Sequence, residues 1–174
     1  MDNYPAMHEK LDIQILILYI LRRFPDAVDG QTLADLALGD GAVGYFEYAE
    51  SLAELVEKDL VEQHGPRYQI TPRGSDTCEI LESSLPYTIR ARLAKRVSPL
   101  AENMRRRAMI TADHISGENG FQIHLALSDG VGTVMDGRFL CGSEEQAQRI
   151  EERFRTSAEQ IYNTIMEVLL NDER

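Results

Sequence analysis

The chain has 174 residues, enough for one medium domain or two small ones, and a hydrophobic share of 43% excludes wholesale disorder. A net charge of −11 excludes a protein that holds nucleic acid through overall charge alone. The charge is uneven: residues 1–74 carry 6 basic and 13 acidic side chains, residues 75–107 carry 7 and 4, and residues 108–174 carry 5 and 12, so only the middle is basic.

The opening MDNYPAMHEK lacks the charged-then-apolar layout of a signal peptide, and the apolar run Ile15–Leu21 is far short of the roughly 20 residues that span a bilayer. The expectation is a soluble, cytoplasmic protein with no membrane attachment. Leu11–Phe24 reads as a helix apolar on nearly its whole circumference, hence buried on several sides, and Pro25 ends it. Asp29-Gly30 reads as a turn, Gln31–Leu38 as a second helix, and Gly39-Asp40-Gly41 as its break. A third helix is predicted from Val43 to Asp59, with Tyr45, Ala49, Leu52, Val56 and Leu60 on its apolar face and Glu47, Glu50, Glu54 and Glu57 on the opposite one. Two short extended runs, Leu60–His64 and Arg67–Thr71, flank a Gly65-Pro66 turn. A helix then opens at Thr71-Pro72 and runs to Ser84. Pro86 starts another, and Ser98-Pro99 reads as a fresh N-cap and first position.

From Ala108 the period changes to that of strands. Met109–Ser116, Phe121–Ser128 and Gly132–Leu140 are three predicted strands, the first two joined by a Gly117–Gly120 hairpin loop. In the second, Phe121, Ile123, Leu125 and Leu127 alternate with Gln122, His124, Ala126 and Ser128, giving one buried face. Ser143-x-x-Gln146 is a capping box that opens a helix, and Thr156-x-x-Glu159 is read as the cap of a second segment bearing Ile161, Ile165, Val168 and Leu169. Cys78 and Cys141 lie far apart without CxxC spacing and are expected to be two buried free thiols.

Three helices followed by a two-stranded wing is the pattern of the winged helix-turn-helix. The run YQITPRGSDTCEILE resembles the way many bacterial winged-helix regulators close their wing. Together with LILYIL, YFEYAESLAELVEKDLV and EEQAQRIEERFRTSAEQIYNTIMEVLL, it makes the chain from about Leu11 to Leu170 resemble an uncharacterised domain-of-unknown-function family of clostridia and related bacteria. The resemblance implies an N-terminal winged helix joined to a small α/β domain and, by analogy of fold, regulation. It brings no catalytic or ligand residues.

The third helix raises the sharpest question. A DNA-reading helix should offer Arg, Lys, Asn or Gln to base edges, whereas this one carries Glu47, Glu50, Glu54 and Glu57. Duplex DNA bears one negative charge per roughly 1.7 Å of axis and repels such a stripe. The stripe therefore reads as a solvated face or as a surface docked on basic groups. Tyr45 and Tyr48 in its first turns, with His64, Arg67, Tyr68 and Arg73 around the wing, are the candidate DNA contacts, since phosphate contacts need only donors and positive charge. Arg90, Arg92, Lys95, Arg96, Arg105, Arg106 and Arg107 form the only basic concentration. They read mainly as a solvated face, with a phosphate-contacting patch or a seat for the acidic helix as the functional readings. His114 and His124, on neighbouring predicted strands beside Asp113, are too few for a metal or acid–base site, and there is no glycine-rich phosphate loop, HExxH or nucleophile elbow. No enzyme, cofactor or metal is expected.

The expected fold class is α+β: a winged helix over residues 8–84, a basic helical connector over 85–107, and a β-β-β-α domain over 108–174 with a three-stranded antiparallel sheet. The leading expectation for function is a regulatory protein that binds double-stranded DNA as a homodimer. The alternative is a winged helix that does not bind DNA and offers its acidic third helix to a protein partner. A small-molecule sensor is a third reading.

Overall fold

The computed structural model describes residues 10–39 and 41–171. The start of the expected winged-helix span at residue 8, Asp40 in the Gly39-Asp40-Gly41 break, and the last residues of the expected C-terminal span, 172–174, lie outside the described residues. The chain is α+β and divides into two compact units between Met104 and Arg105. Among the described residues no helix is long and apolar enough to cross a membrane.

The first unit is organised around α1 (Lys10–Leu21), in which Ile13 and every residue from Ile15 to Leu21 are buried. A helix apolar on all sides must be covered on all sides. The cover consists of β1 (Val28–Asp29), α2 (Gly30–Leu38), α3 (Tyr45–Glu57), β2 (Val61–His64), β3 (Arg67–Ile70), α4 (Pro72–Leu81), a 3-10 turn at Glu82–Ser84, and α5 (Tyr87–Ala108). The three strands form an antiparallel sheet in the order β1-β3-β2, with Val28 opposite Tyr68 and His64 opposite Arg67. Strand β1 replaces the turn expected at Asp29-Gly30, because two residues are too short to show a strand period. Asp29 both ends it and caps α2, its carboxylate accepting from the backbone N–H groups of Gln31 and Thr32 at 3.0 and 3.3 Å.

The Ile-Thr-Pro-Arg-Gly run is a joint. Thr71 Oγ1 accepts from the Gly74 backbone N–H at 3.0 Å, capping α4, and donates to the Asp59 carbonyl at 2.8 Å, which ties the end of α3 to the start of α4. Gly74 lies so close to the Leu60 backbone that an added Cβ would stand 2.0 Å from its carbonyl oxygen. Asp59 adopts φ +54, a left-handed conformation that a non-glycine residue pays for. Cys78 is buried in this core as a free thiol, which burial pushes up to about 11.

Residues 85–107, expected to form a connector, are almost wholly α5. Its Ile89, Leu93, Val97 and Ala101 belong to the core of the first unit. The fresh start expected at Ser98-Pro99 does not occur: Pro99 sits on the exposed side within one continuous helix, while Val97 and Ala101 anchor the turns around it.

The second unit is β4 (Ile110–Gly117), β5 (Gly120–Ser128) and β6 (Thr133–Cys141) in an antiparallel sheet ordered β4-β5-β6, followed by α6 (Glu144–Leu170). Ile123, Leu125 and Leu127 face Ala147, Phe154 and Ala158 of α6 in a small core that includes the free thiol of Cys141. The capping box is present: the Gln146 N–H donates to Ser143 Oγ at 3.2 Å, and Gln146 Oε1 accepts from the Gly142 N–H at 3.3 Å. Thr156 does not cap a new helix. Its hydroxyl bonds back to the carbonyls of Glu152 and Arg153, and α6 passes through a non-helical Ser157 as a kink.

The joint at Thr71–Gly74 yields a test. Gly74→Ala forces the Leu60 backbone aside and should lower stability by about 1–3 kcal/mol, whereas Asp59→Gly should raise it by up to about 1 kcal/mol by relieving the left-handed strain. Urea unfolding followed by the fluorescence of the 7 tyrosines, with no tryptophan to obscure them, reads both. A neutral Gly74→Ala would show that the close approach carries no constraint.

Candidate functional site

Packing against α1 fixes the roll of α3. Tyr48, Ser51, Leu52 and Leu55 point into the core, so the buried face is not the expected Tyr45-Ala49-Leu52-Val56 stripe but one turned away from it. Tyr45 and Phe46 are left 64% and 85% exposed, their rings edge-to-face at 6.0 Å, and Ala49 and Ala53 lie exposed beyond them. Tyr45, Ala49 and Ala53 border a groove of about 500 Å³ between α2, α3 and the sheet, lined also by Gly30, Ala34, Val56 and Tyr68 among others. Gly30 is held at the groove's edge by donating to the Pro66 carbonyl at 2.9 Å, where a Cβ would meet the Tyr68 ring at 3.1 Å.

The acidic stripe is not a uniform solvated face. Lys10 of α1 bonds to Glu50 at 2.9 Å and also to Glu54. Gln14 donates to Glu54 at 2.8 Å, and Lys58 lies 3.4 Å from the same carboxylate. The ammonium of Lys10 holds the Glu54 carboxyl below its ordinary range, and Glu54, then Glu50, holds the Lys10 ammonium above its own. Glu50 and Glu54 are thus drawn towards α1 and partly neutralised there. Glu47 folds its carboxylate back over Gly44 at the helix start, and Glu57 remains exposed. Nothing in the residue spacing points to Lys10, 40 positions from Glu50, as their partner.

The six candidate DNA contacts fall into different environments. Tyr45 is exposed on the first turn of α3, but Tyr48 is only 4% exposed and is a core residue, which removes it as a surface contact. Among the described residues its hydroxyl has no hydrogen-bond partner, nor has that of buried Ser51, and burial drives the Tyr48 phenol well above its ordinary value. His64, at the end of β2, stands 3.2 Å from Glu62. Gly65 at φ +60 supplies the first position of a two-residue hairpin turn. Arg67 donates to the Ala27 carbonyl at 2.5 Å and Arg73 to the Lys58 carbonyl at 3.3 Å, so both serve the backbone as well as the surface. Tyr68 is half-buried in the groove wall.

The basic concentration is likewise put to structural use. Arg96 donates to the Asp35 and Leu36 carbonyls at 2.8 and 3.3 Å, closing the C-terminal end of α2, and Arg90 donates to the Leu85 carbonyl at 3.1 Å. Arg92 is half-buried and Lys95 exposed. Arg105, Arg106 and Arg107 occupy the last turn of α5, where the helix dipole favours cations, and Arg106 pairs with Glu159 at 3.2 Å.

His114 and His124 point to opposite faces of the second sheet. His114, opposite Ile123, faces α6, and its Nδ1 lies 2.5 Å from Glu151, a buried carboxylate that also meets Arg155 at 3.2 Å. Arg155 in turn donates to the Ala112 carbonyl, so this cluster ties α6 to β4. His124, opposite Asp113, is on the other face, 3.2 Å from Asp136. Among the described residues no group of three or more His, Cys, Asp or Glu side chains is arranged to hold a metal.

The family described as "Domain of unknown function (DUF4364)" matches residues 13–169, and the chain belongs to it. Searches of curated proteins and of solved structures returned no match.

The burial of Tyr48 predicts its behaviour. Tyr48→Phe deletes an unpartnered buried hydroxyl and should leave stability unchanged or raise it by up to about 1 kcal/mol, whereas Tyr48→Ala should cost about 3–5 kcal/mol. Thermal unfolding of both variants measures this. A clear loss in the phenylalanine variant would mean that the hydroxyl has a structural role.

Proposed function

We propose that this member of the family is a winged-helix regulatory protein that binds double-stranded DNA as a homodimer. The chain order α1-β1-α2-α3-β2-β3 with a β1-β3-β2 sheet is the observation that carries this reading, because it sets α3 beside a short hairpin, as a reading helix and its wing would be. The glutamates that count against DNA are weakened as an objection, since Glu50 and Glu54 are held by Lys10 and Lys58. Beside the exposed Glu47, Glu50 and Glu57, α3 offers outward Tyr45, Phe46, Ala49 and Ala53, small and aromatic groups suited to apolar contact with base edges and not to hydrogen-bonded readout. Affinity then depends on phosphate contacts from His64, Arg67 and Arg73 and is modest in sequence preference.

A second reading is favoured by the groove between α2, α3 and the sheet. Exposed Tyr45 and Phe46 beside about 500 Å³ of concave, largely uncharged surface suit an apolar protein segment, with Glu47 and Glu57 selecting basic flanks.

Fluorescence anisotropy of labelled duplex from the gene's own upstream region, across a salt series, decides between them. Binding should weaken steeply with salt, and Arg73→Ala should reduce the salt slope by about 1 while leaving sequence preference unchanged. Absence of binding to any duplex at low salt would sink the DNA reading and leave the protein-segment groove.

A further inference from the structure

The second sheet ends at an open edge. Among the described residues β6 pairs with β5 alone, so one side of its nine-residue backbone carries N–H and C=O groups with no strand beside them. Edges of this kind are commonly blunted by lysine, proline or a bulge. Here the run TVMDGRFLC has neither lysine nor proline, and the register irregularity against β5 falls at Leu127/Ser128, where β6 begins. Val134, Phe139 and Leu140 are left 40%, 48% and 70% exposed along it. The other edge strand, β4, is covered differently. Helix α6 runs mainly over β4 and β5 and is fastened to β4 by Glu151 on His114 and by Arg155 on the Ala112 carbonyl.

We propose that a second copy of this chain covers the β6 edge. Strand β6 of each copy pairs antiparallel with β6 of the other about a two-fold axis at Gly137, and the two sheets join into one of six strands. A two-fold perpendicular to the sheet keeps each face on its own side, so only registers centred on a residue are open to it. Centred on Gly137, the pairing sets Asp136 of each copy opposite Arg138 of the other, on the face turned from α6, with Val134 opposite Leu140 on the same face. On the face turned to α6, Met135 comes opposite Phe139, whose ring lies over Gly137 at 3.0 Å from where a Cβ would stand. The strand is thus complementary to itself in charge and in apolar character at once.

The charges single out this register from its neighbours. Moving the centre to Asp136 sets two aspartates face to face, and moving it to Arg138 does the same with two arginines. Opposite charges directly across a strand pair stabilise it and like charges destabilise it. Both groups are placed to pair. Arg138 is exposed and holds no ion pair or hydrogen bond among the described residues. The Asp136 side chain, 3.2 Å from His124, is still 58% exposed.

This surface deepens the homodimer part of the reading above and does not depend on DNA being bound. Sedimentation equilibrium of the full chain without DNA tests it. The native protein should sediment at twice the chain mass. Asp136→Arg and Arg138→Asp each turn both cross-copy pairs into like charges and should each raise the dimer dissociation constant about tenfold or more. Mixed in equal amounts, the two variants restore both opposite-charge pairs and should associate to within about threefold of the native constant. Leu140→Glu, at an exposed position away from the charged pair, should sediment as a monomer with unchanged circular dichroism. A native chain that is monomeric at roughly 100 µM, far above a typical dimer constant, overturns both this surface and the homodimer. A native dimer indifferent to Leu140→Glu, or charge variants that do not rescue each other, overturn this surface alone.

Discussion

The first unit depends on one constraint, the burial of α1 on every side. Ile13 and the unbroken run Ile15–Leu21 leave no polar face, so the helix is stable only when enclosed, and each such side chain contributes about 1.5–3 kcal/mol when fully buried. Enclosure dictates the neighbours. Helices α2, α3 and α4, strand β3 and the apolar face of α5 must all present apolar surface inward. The roll of α3 follows, and with it the character of the candidate site. Once Leu52 and Leu55 are committed to α1, Glu50 and Glu54 lie along the α1 edge within reach of Lys10, and Tyr45 and Phe46 are forced outward. The acidic stripe is in this sense a consequence of core packing. Its exposed ion pairs add little stability of their own, but they change what charge the surface displays.

That roll also marks where the sequence stops being informative. The helices of the first unit were legible because their apolar residues recur at helical spacing and their ends carry Asp29, Thr71 and Gly44. The face of α3 was not. Tyr45, Ala49, Leu52 and Val56 make a better apolar stripe on paper than Tyr48, Ser51, Leu52 and Leu55, yet the second is buried, turned from the first by roughly 80° at 3.6 residues per turn. A buried serine and a core tyrosine with an unpartnered hydroxyl are not features that periodicity ranks highly. The first stripe is half used, as the wall of the groove against α2 and the sheet. A helix packed on two sides presents two apolar stripes, and only tertiary contact says which is core.

The second unit was more legible, because a strand has only two faces. The alternation in β5 placed Ile123, Leu125 and Leu127 inward, and the register then decides the histidines without further freedom: His114 opposite Ile123 is inside, and His124 opposite Asp113 is outside. Sequence could set them on neighbouring strands but could not put them back to back. Nor could it find the buried Glu151, which reads as one acid among several along α6 yet is held between His114 and Arg155. Charged residues inside a small core persist only when they are paired and hydrogen-bonded, and each oxygen of Glu151 finds a partner, one 37 and the other 4 residues away.

Membership of a family without an assigned activity supplies no chemistry, so function has to be argued from surfaces. Here the surfaces differ in what they ask of a partner. The outward face of α3 and its groove are aromatic, small and nearly without positive charge, which tolerates DNA only if phosphates are held from the hairpin and the helix ends. Many of the arginines that would do so are engaged elsewhere: Arg67 and Arg73 on backbone carbonyls near the hairpin, Arg90 and Arg96 on helix ends, and Arg106 on a glutamate. A monomer with so few uncommitted cations would hold DNA weakly, because counterion release scales with the number of phosphates neutralised. Joining two such modules multiplies the contacts without new charge on either, through the effective concentration that linkage confers.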